Sequence, residues 1–246
     1  MSKRAWFKVV LLGFIVPLAA CSDIGDAQDN DPLEPLNRKT HAFNTSLDRN
    51  VLRPVSLAYV NYVNDDVRAI FGNMSDNLKT PLDVANNILQ GKLDMAVENS
   101  VKFVVNSTIG IGGLGTPAQD LGIDGDETDF GETLHLWGVA EGPYIVLPLL
   151  GPSTGRDAVG RVADVALNPL RTIPSEELSV ARSGFMVTDG LNARGEFDDT
   201  ISELMHESTD SYEQLKLFYL QSRRFELDGI SEDDYIDPYD DLFGDE

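Results

Sequence analysis

The sequence is poor in the residues that most often announce a site. Of 246 residues one is Cys and three are His, so neither an intrachain disulfide nor a His/Cys metal cluster is expected. Basic residues are few: 19 Lys and Arg stand against 41 Asp and Glu. The resulting net charge of −22 excludes non-specific nucleic-acid binding, which depends on neutralising phosphates. Beyond residue 20 no apolar run approaches the roughly 18 residues that mark a transmembrane helix. Strand signals are scarce as well, since period-two alternation is nowhere sustained and β-branched runs are short. What is present is an apolar content of 42%, enough for a sizeable core, with no fixed-period repeat and no linker dividing the chain. The expected fold class is mainly α, in a single domain.

Charge is unevenly spread. Residues 1–20 carry Lys3, Arg4 and Lys8 and no acid, so removing them moves the net charge from −22 to −25. The apolar run Val9–Leu18 after this basic start has the length of an export signal and is too short to span a bilayer. Leu18-Ala19-Ala20-Cys21 resembles the bacterial lipoprotein signal, in which the cysteine is acylated before cleavage in front of it; ordinary cleavage beside a chance cysteine is the alternative. On the lipoprotein reading Cys21 carries an S-diacylglycerol and an N-acyl chain. These anchor the protein far more firmly than the single chain that gives only marginal binding. Ser22 follows where Asp commonly retains lipoproteins in the inner membrane, which points to the outer membrane, although Asp23 comes one residue later. Residues 21–35 are polar and acidic and read as a lipidated tether. Residues 226–246 carry ten acids and no base and read as a disordered, solvated tail.

Helical periodicity marks the chain between. Ala85, Ile88, Leu89, Leu93, Ala96, Val97, Val101 and Val104 recur at three- and four-residue steps, on one helix starting near Pro81 or on two meeting at Gly91. A second helix is predicted over Arg156–Leu167, with Val159, Val162, Ala163, Ala166 and Leu167 on its apolar face and Asn168-Pro169 as its stop. A third runs from about Thr200 to Arg224 on Ile201, Leu204, Met205, Tyr212, Leu215, Phe218 and Tyr219. Stripes of this kind are expected to be core. Weaker signals place helices over Leu36–Leu52, ended by Arg53-Pro54, and over Asp66–Leu78, ended before Pro81. The Gly-rich stretch 110–155 should hold loops and short elements.

Several motifs suggest chemistry and do not sustain it. Gly110-Ile111-Gly112-Gly113-Leu114-Gly115 spells G-x-G-x-x-G, but Thr116-Pro117 and an acidic loop follow where a dinucleotide site needs a helix N-terminus; a flexible or closely packed turn fits better. Asp126, Glu127, Asp129, Glu132 and Glu141 could supply paired carboxylates for a glycan hydrolase, or simply line a solvated loop. Neither His135 nor Gly155-Arg156-Asp157 belongs to a nucleophile elbow, and Asp120–Asp129 misses the register of a Ca²⁺ loop. Gly142–Pro152 differs in kind: an apolar run with Pro148 inside it, bounded by Gly/Pro pairs, reads either as a buried irregular segment or as a loop facing lipid. Asn37 and Arg38 could position lipid head groups or cap a helix.

Taken in order, DPLEPLNRKTHAFN at 31–44, VNSTIGIGGLGTPA at 105–118 with DFGETLHLWG at 129–138, GVAEGPYIVLPLLGPSTGRD at 138–157 and DSYEQLKLFYLQSRR at 210–224 resemble the MlaA (VacJ) lipoproteins of Gram-negative outer membranes. The resemblance spans about 31–224. It implies a ring-like helical domain, 36–225, with Gly/Pro-rich loops around an amphipathic channel. It further implies removal of phospholipids that have strayed into the outer leaflet. A periplasmic lipid-binding shuttle would receive them, and an inner-membrane ABC transporter with an MCE-domain protein would return them. Trimeric porins are the implied outer-membrane partners, and the activity is transport, not catalysis. The motif positions make Phe43, Asn44, Gly110, Gly112, Gly113, Trp137, Gly138, Tyr144, Leu147, Pro148, Arg156 and Asp157 candidates for the channel or its gate, with packing as the alternative for each.

Overall fold

The computed structural model describes residues 31–172 and 175–228; the export signal, Cys21, the tether up to residue 30 and the tail from residue 229 lie outside the described residues. The elements run α1 (Glu34–Leu47), a π-helical turn (Asp48–Leu52), α2 (Arg53–Tyr62), α3 (Asp65–Gln90), α4 (Leu93–Thr108), α5 (Pro117–Asp120), α6 (Phe130–Leu136), β1 (Tyr144–Leu147), β2 (Gly151–Thr154), α7 (Gly155–Leu167), a 3₁₀ turn (Pro169–Thr172), α8 (Glu176–Glu196), α9 (Asp198–Ser202), a second π turn (Glu203–Glu207) and α10 (Ser211–Asp228). The fold class is mainly α, as expected. Among the described residues no helix is long and apolar enough to cross a membrane.

Several boundaries differ from the sequence reading. Pro81 does not start or stop a helix: α3 runs straight through it. Proline removes one donor, leaving the Asn77 carbonyl without its helical partner, and the neighbouring Thr80 hydroxyl reinforces the turn by donating to the Asp76 carbonyl at 2.9 Å. Asn64 caps α3 by accepting from the Asp66 N–H, and Gly91, at φ +78°, closes it in the left-handed conformation, so the break at Gly91 stands. Pro54 likewise ends nothing: the backbone stays helical from Glu34 to Tyr62, and the π turn Asp48–Leu52 lies immediately before the proline-bearing turn. The helix expected from Thr200 to Arg224 is interrupted by the second π turn and by residues 208–210. Its continuation α10 extends to Asp228, three residues into the stretch read as tail. At the other end, the tether gives way to α1 at Glu34, and the Asp31 side chain is already buried beside Lys216. Two elements carried no clear signal: α8, whose Val180, Phe185, Met186, Val187 and Leu191 fall on no single face, and the β1–β2 hairpin.

The largest correction concerns the core. Six of the eight residues of the 85–104 stripe are exposed, Leu93 at 63% and Val97 at 64%, and only Ala96 is buried. On α7 the stripe is exposed too, Val162 at 68%, while Arg156, Asp157 and Gly160 face inward. The buried face of α3 is Ser75, Asn77, Thr80, Asp83, Asn86 and Asn87. The only apolar cluster among the described residues is Tyr144, Val146, Tyr212 and Leu220, with Tyr219 packed against it. An ordinary water-soluble domain buries its apolar stripes and solvates the polar faces. Here the helices present the opposite arrangement, which water alone does not favour.

Candidate functional site

The hairpin is held by α1. Asn37 is 1% exposed; its Nδ2 donates to the Tyr144 carbonyl and its Oδ1 accepts from the Val146 N–H, both at 2.9 Å. Seven residues on, two helical turns along the same face, Asn44 donates to the Leu147 carbonyl and accepts from the Leu149 N–H, again at 2.9 Å. An amide presents one donor side and one acceptor side, as a peptide unit does, so these two side chains act on β1 as a neighbouring strand would. Asn37 is therefore neither a cap nor a free head-group ligand. Arg38 lies over the Tyr212 ring at 4.4 Å and bonds both carboxylate oxygens of Asp210 at 3.1 Å. Phe43, next to Asn44, is exposed, as is the tip Pro148-Leu149-Leu150, where Leu149 adopts φ +68°. The 142–152 run is not irregular: it forms an antiparallel hairpin in which Tyr144 and Val146 are buried and the tip is exposed. Tyr144 packs edge-on against Tyr212 at 5.9 Å, and burial raises its hydroxyl pKa above the usual range.

The same device recurs on α4. Asn99 donates to the Asp126 carbonyl at 2.8 Å and accepts from the Asp126 N–H at 3.2 Å. Asn106, again seven residues on, accepts from the Ala118 N–H at 3.0 Å and donates to Gln119 Oε1 at 3.1 Å. Two glycines of the run between, Gly110 and Gly113, are tightly packed, while Gly112 is open. A Cβ on Gly110 would meet the Asn106 carbonyl at 2.5 Å, and one on Gly113 would meet the Asn77 side chain at 2.7 Å. Gly112 and Gly113 have φ of +73° and +93°. This is the closely packed turn and not a phosphate cradle.

Arg156 and Asp157 start α7 beneath the hairpin and are both buried. Thr154 caps the helix by accepting from the Asp157 N–H. The Asp157 carboxylate accepts from the Tyr219 hydroxyl at 2.7 Å and from Arg223 at 3.3 Å, and Arg223 also binds Asp129 at 2.8 Å. Burial alone would raise the Asp157 pKa; Arg223 and Tyr219 outweigh it and hold the group below the ordinary carboxylate value. Arg156 Nη1 lies 3.3 Å from His135. Trp137 is exposed, rests edge-on against Phe130 and donates to the Leu89 carbonyl at 3.2 Å, while Gly138, at φ +79°, ends α6. The structure thus gathers Phe43, Asn44, Tyr144, Leu147 and Pro148 at the hairpin and Arg156 and Asp157 at its base. Trp137 with Gly138, and the glycines 110, 112 and 113, stand at helix ends elsewhere.

Three of the five acids that could have served hydrolysis are otherwise engaged. Glu132 is bound by Lys92 at 2.7 Å and Thr128 at 2.6 Å, Glu141 by Arg224 at 3.0 Å, and Asp129 by Arg223. No group of ligating side chains suited to a metal occurs among the described residues.

The polar inner face of α3 carried no prediction. Asn87 is fully buried, and neither its amide nitrogen nor its amide oxygen has a partner. One turn earlier, burial pushes the Asp83 carboxyl up to about 7 against the Thr128 N–H that would lower it, with Glu127 adding to the rise. Their signal was legible as the complement of the apolar stripe: Asn, Thr and Asp at three- and four-residue steps.

Comparison with known proteins places this arrangement. A family model described as "MlaA lipoprotein" matches residues 29–226. An Escherichia coli K12 protein named "Intermembrane phospholipid transport system lipoprotein MlaA" is 32% identical over 218 residues, 86% of this chain and 85% of that protein. A Shigella flexneri protein of the same name is 33% identical over the same length and coverage. A chain solved in work on the "structural basis for maintenance of bacterial outer membrane lipid asymmetry" superposes with a TM-score of 0.68 at 32% identity, covering 80% of this chain and 98% of that one. A family match over most of the chain, with relatives about a third identical along most of their length, shows that the chain belongs to the MlaA lipoprotein family.

Proposed function

We propose that this chain is an outer-membrane lipoprotein of phospholipid transport. It takes phospholipids that have strayed into the outer leaflet and passes them to a periplasmic shuttle for return to the inner membrane. The observation that carries this reading is the reversed burial. Exposed apolar faces on α4 and α7 and an exposed Leu149-Leu150 tip match the acyl-chain layer, whereas the buried Asn, Thr and Asp positions of α3 offer a polar path to a head group. Amphipathic lipid needs both. The names of the Escherichia coli and Shigella flexneri relatives support the same role.

Cys21, acylated, supplies the anchor, and a trimeric porin is the proposed outer-membrane partner. The net charge of −22 argues against attraction to anionic lipid, so acyl chains and apolar faces must hold the protein in place. The test is a deletion strain complemented in turn with the wild type and with Cys21→Ser. Loss of the gene should raise outer-leaflet phospholipid, the wild type should restore asymmetry and Cys21→Ser should not. Unaltered lipid asymmetry in the deletion strain would contradict the proposal.

A further inference from the structure

Between α3, the end of α7 and α8 lies a small open cleft, away from the hairpin. Leu78, Leu82, Val165 and Met186 form its apolar wall, and two cations, Lys79 and Arg182, stand in it. The cations differ. Lys79 is already matched by Asp76 at 3.1 Å and Asp189 at 2.9 Å. Arg182 forms no ion pair among the described residues, and its Nε is buried without a hydrogen-bond partner. A guanidinium set beside apolar side chains with no carboxylate partner favours an anion, which would meet its Nη groups, since Nε is closed to solvent. The one acid lining the cleft, Asp164, is occupied by Asn86 Nδ2 at 3.0 Å and the Phe130 N–H at 3.1 Å.

The wall of the cleft continues into exposed apolar side chains on both flanking helices: Val162 and Leu167 on α7, and Val180 and Val187 on α8. An anion that fits must therefore carry long apolar chains. A free phosphate would leave the wall unused, and an acidic peptide would expose polar backbone to it.

We propose that this cleft is a glycerophospholipid seat, with the phosphodiester on Arg182 and the acyl chains along Leu78, Leu82, Val165 and Met186, open to the side where the apolar faces of α7 and α8 meet the leaflet. The proposal rests on the phospholipid-transport reading and adds the place where a lipid is held. The planar guanidinium suits the two free oxygens of a phosphodiester.

The test uses the full-length acylated protein in mixed micelles with a phosphatidylethanolamine whose acyl chain bears a diazirine; after photolysis the labelled peptides are mapped by mass spectrometry. Label is expected on the segments around residues 78–82, 165 and 186. Arg182→Gln should cut labelling there about tenfold, the scale of one charge-assisted hydrogen bond, with Arg182→Lys retaining more of it. Met186→Trp, a change at an exposed position, should block the same segments without loss of folding. Arg161→Gln, outside the cleft, should change nothing, and excess glycerophosphate should not displace the lipid. Label confined to other segments, or label at the cleft that is indifferent to Arg182→Gln and Met186→Trp, overturns the seat and leaves transport standing. Absence of label anywhere in the chain overturns both.

Discussion

Asn37 shows how much one side chain can hold. Among the described residues its amide pairs the Tyr144 carbonyl and the Val146 N–H on that edge of β1, at a site closed to water. Asn37→Ala strands two buried backbone groups and is expected to lower stability by about 2–4 kcal/mol, read as a drop in thermal midpoint by circular dichroism. Asn44→Ala, at the more open end of the hairpin, should cost less. Gly160 makes a second prediction at this scale, because a Cβ there would lie 2.5 Å from the Gly131 nitrogen with backbone on both sides. Gly160→Ala should destabilise by roughly 2–3 kcal/mol. Gly184→Ala, at an open helical position with nothing within 4 Å, should be neutral or gain about 0.5–1 kcal/mol. Equal behaviour of the two in thermal melts would contradict the packing described.

Asp83 carries the pH dependence. Its carboxyl titrates near 7 in the folded chain against an ordinary value of 3.8, so the folded state binds the proton more tightly and stability falls as pH rises from about 4 to 7, levelling above that. Asp83→Asn keeps the shape and removes the charge. It should leave stability unchanged near pH 4 and raise it near pH 8, by up to about 4 kcal/mol. A variant equally affected at both pH values would show that burial of the charge is not the cause.

At the level of elements, the exposed stripes make the opposite prediction from a core. Val97→Glu and Val162→Glu should shift stability in detergent solution by no more than about 0.5 kcal/mol, whereas a core position would lose several. In the bilayer the same changes should impair lipid asymmetry. This is also where sequence reading met its limit. Periodicity located α4 and α7 because amphipathicity shows itself through spacing alone. Which face turns inward depends on the surroundings, and the inference from apolar to buried assumes water on all sides. The hairpin carried no local signal because Asn37 and Asn44, more than a hundred residues away, clamp the outer edge of β1. Proline is a weaker stop than its local chemistry suggests: Pro54 follows a π turn within a continuous helical run and Pro81 lies inside α3. At Gly110–Gly115, by contrast, the acidic, Pro-bearing context of the glycines was enough to set aside a dinucleotide site, though not to choose between a flexible and a packed turn. For the gate candidates, motif position located the hairpin group and the Arg156-Asp157 base but could not separate clamps from exposed tips.

For the whole molecule, the account rests on a mainly α protein with polar interior faces and exposed apolar ones, belonging to a family of transport lipoproteins. A strongly acidic chain has no electrostatic reason to sit on anionic lipid, so the proposed membrane seat requires the exposed apolar faces to do that work. The most direct measurement is spin-label accessibility in the full-length acylated protein reconstituted into a bilayer, with single labels introduced at positions 97, 101 and 162 on the apolar faces and at 86 on the polar one. The account predicts that labels at 97, 101 and 162 collide with oxygen and are shielded from a water-soluble nickel chelate, while the label at 86 is not shielded by lipid. Nickel collisions at 97, 101 and 162 as frequent as those in water would contradict it.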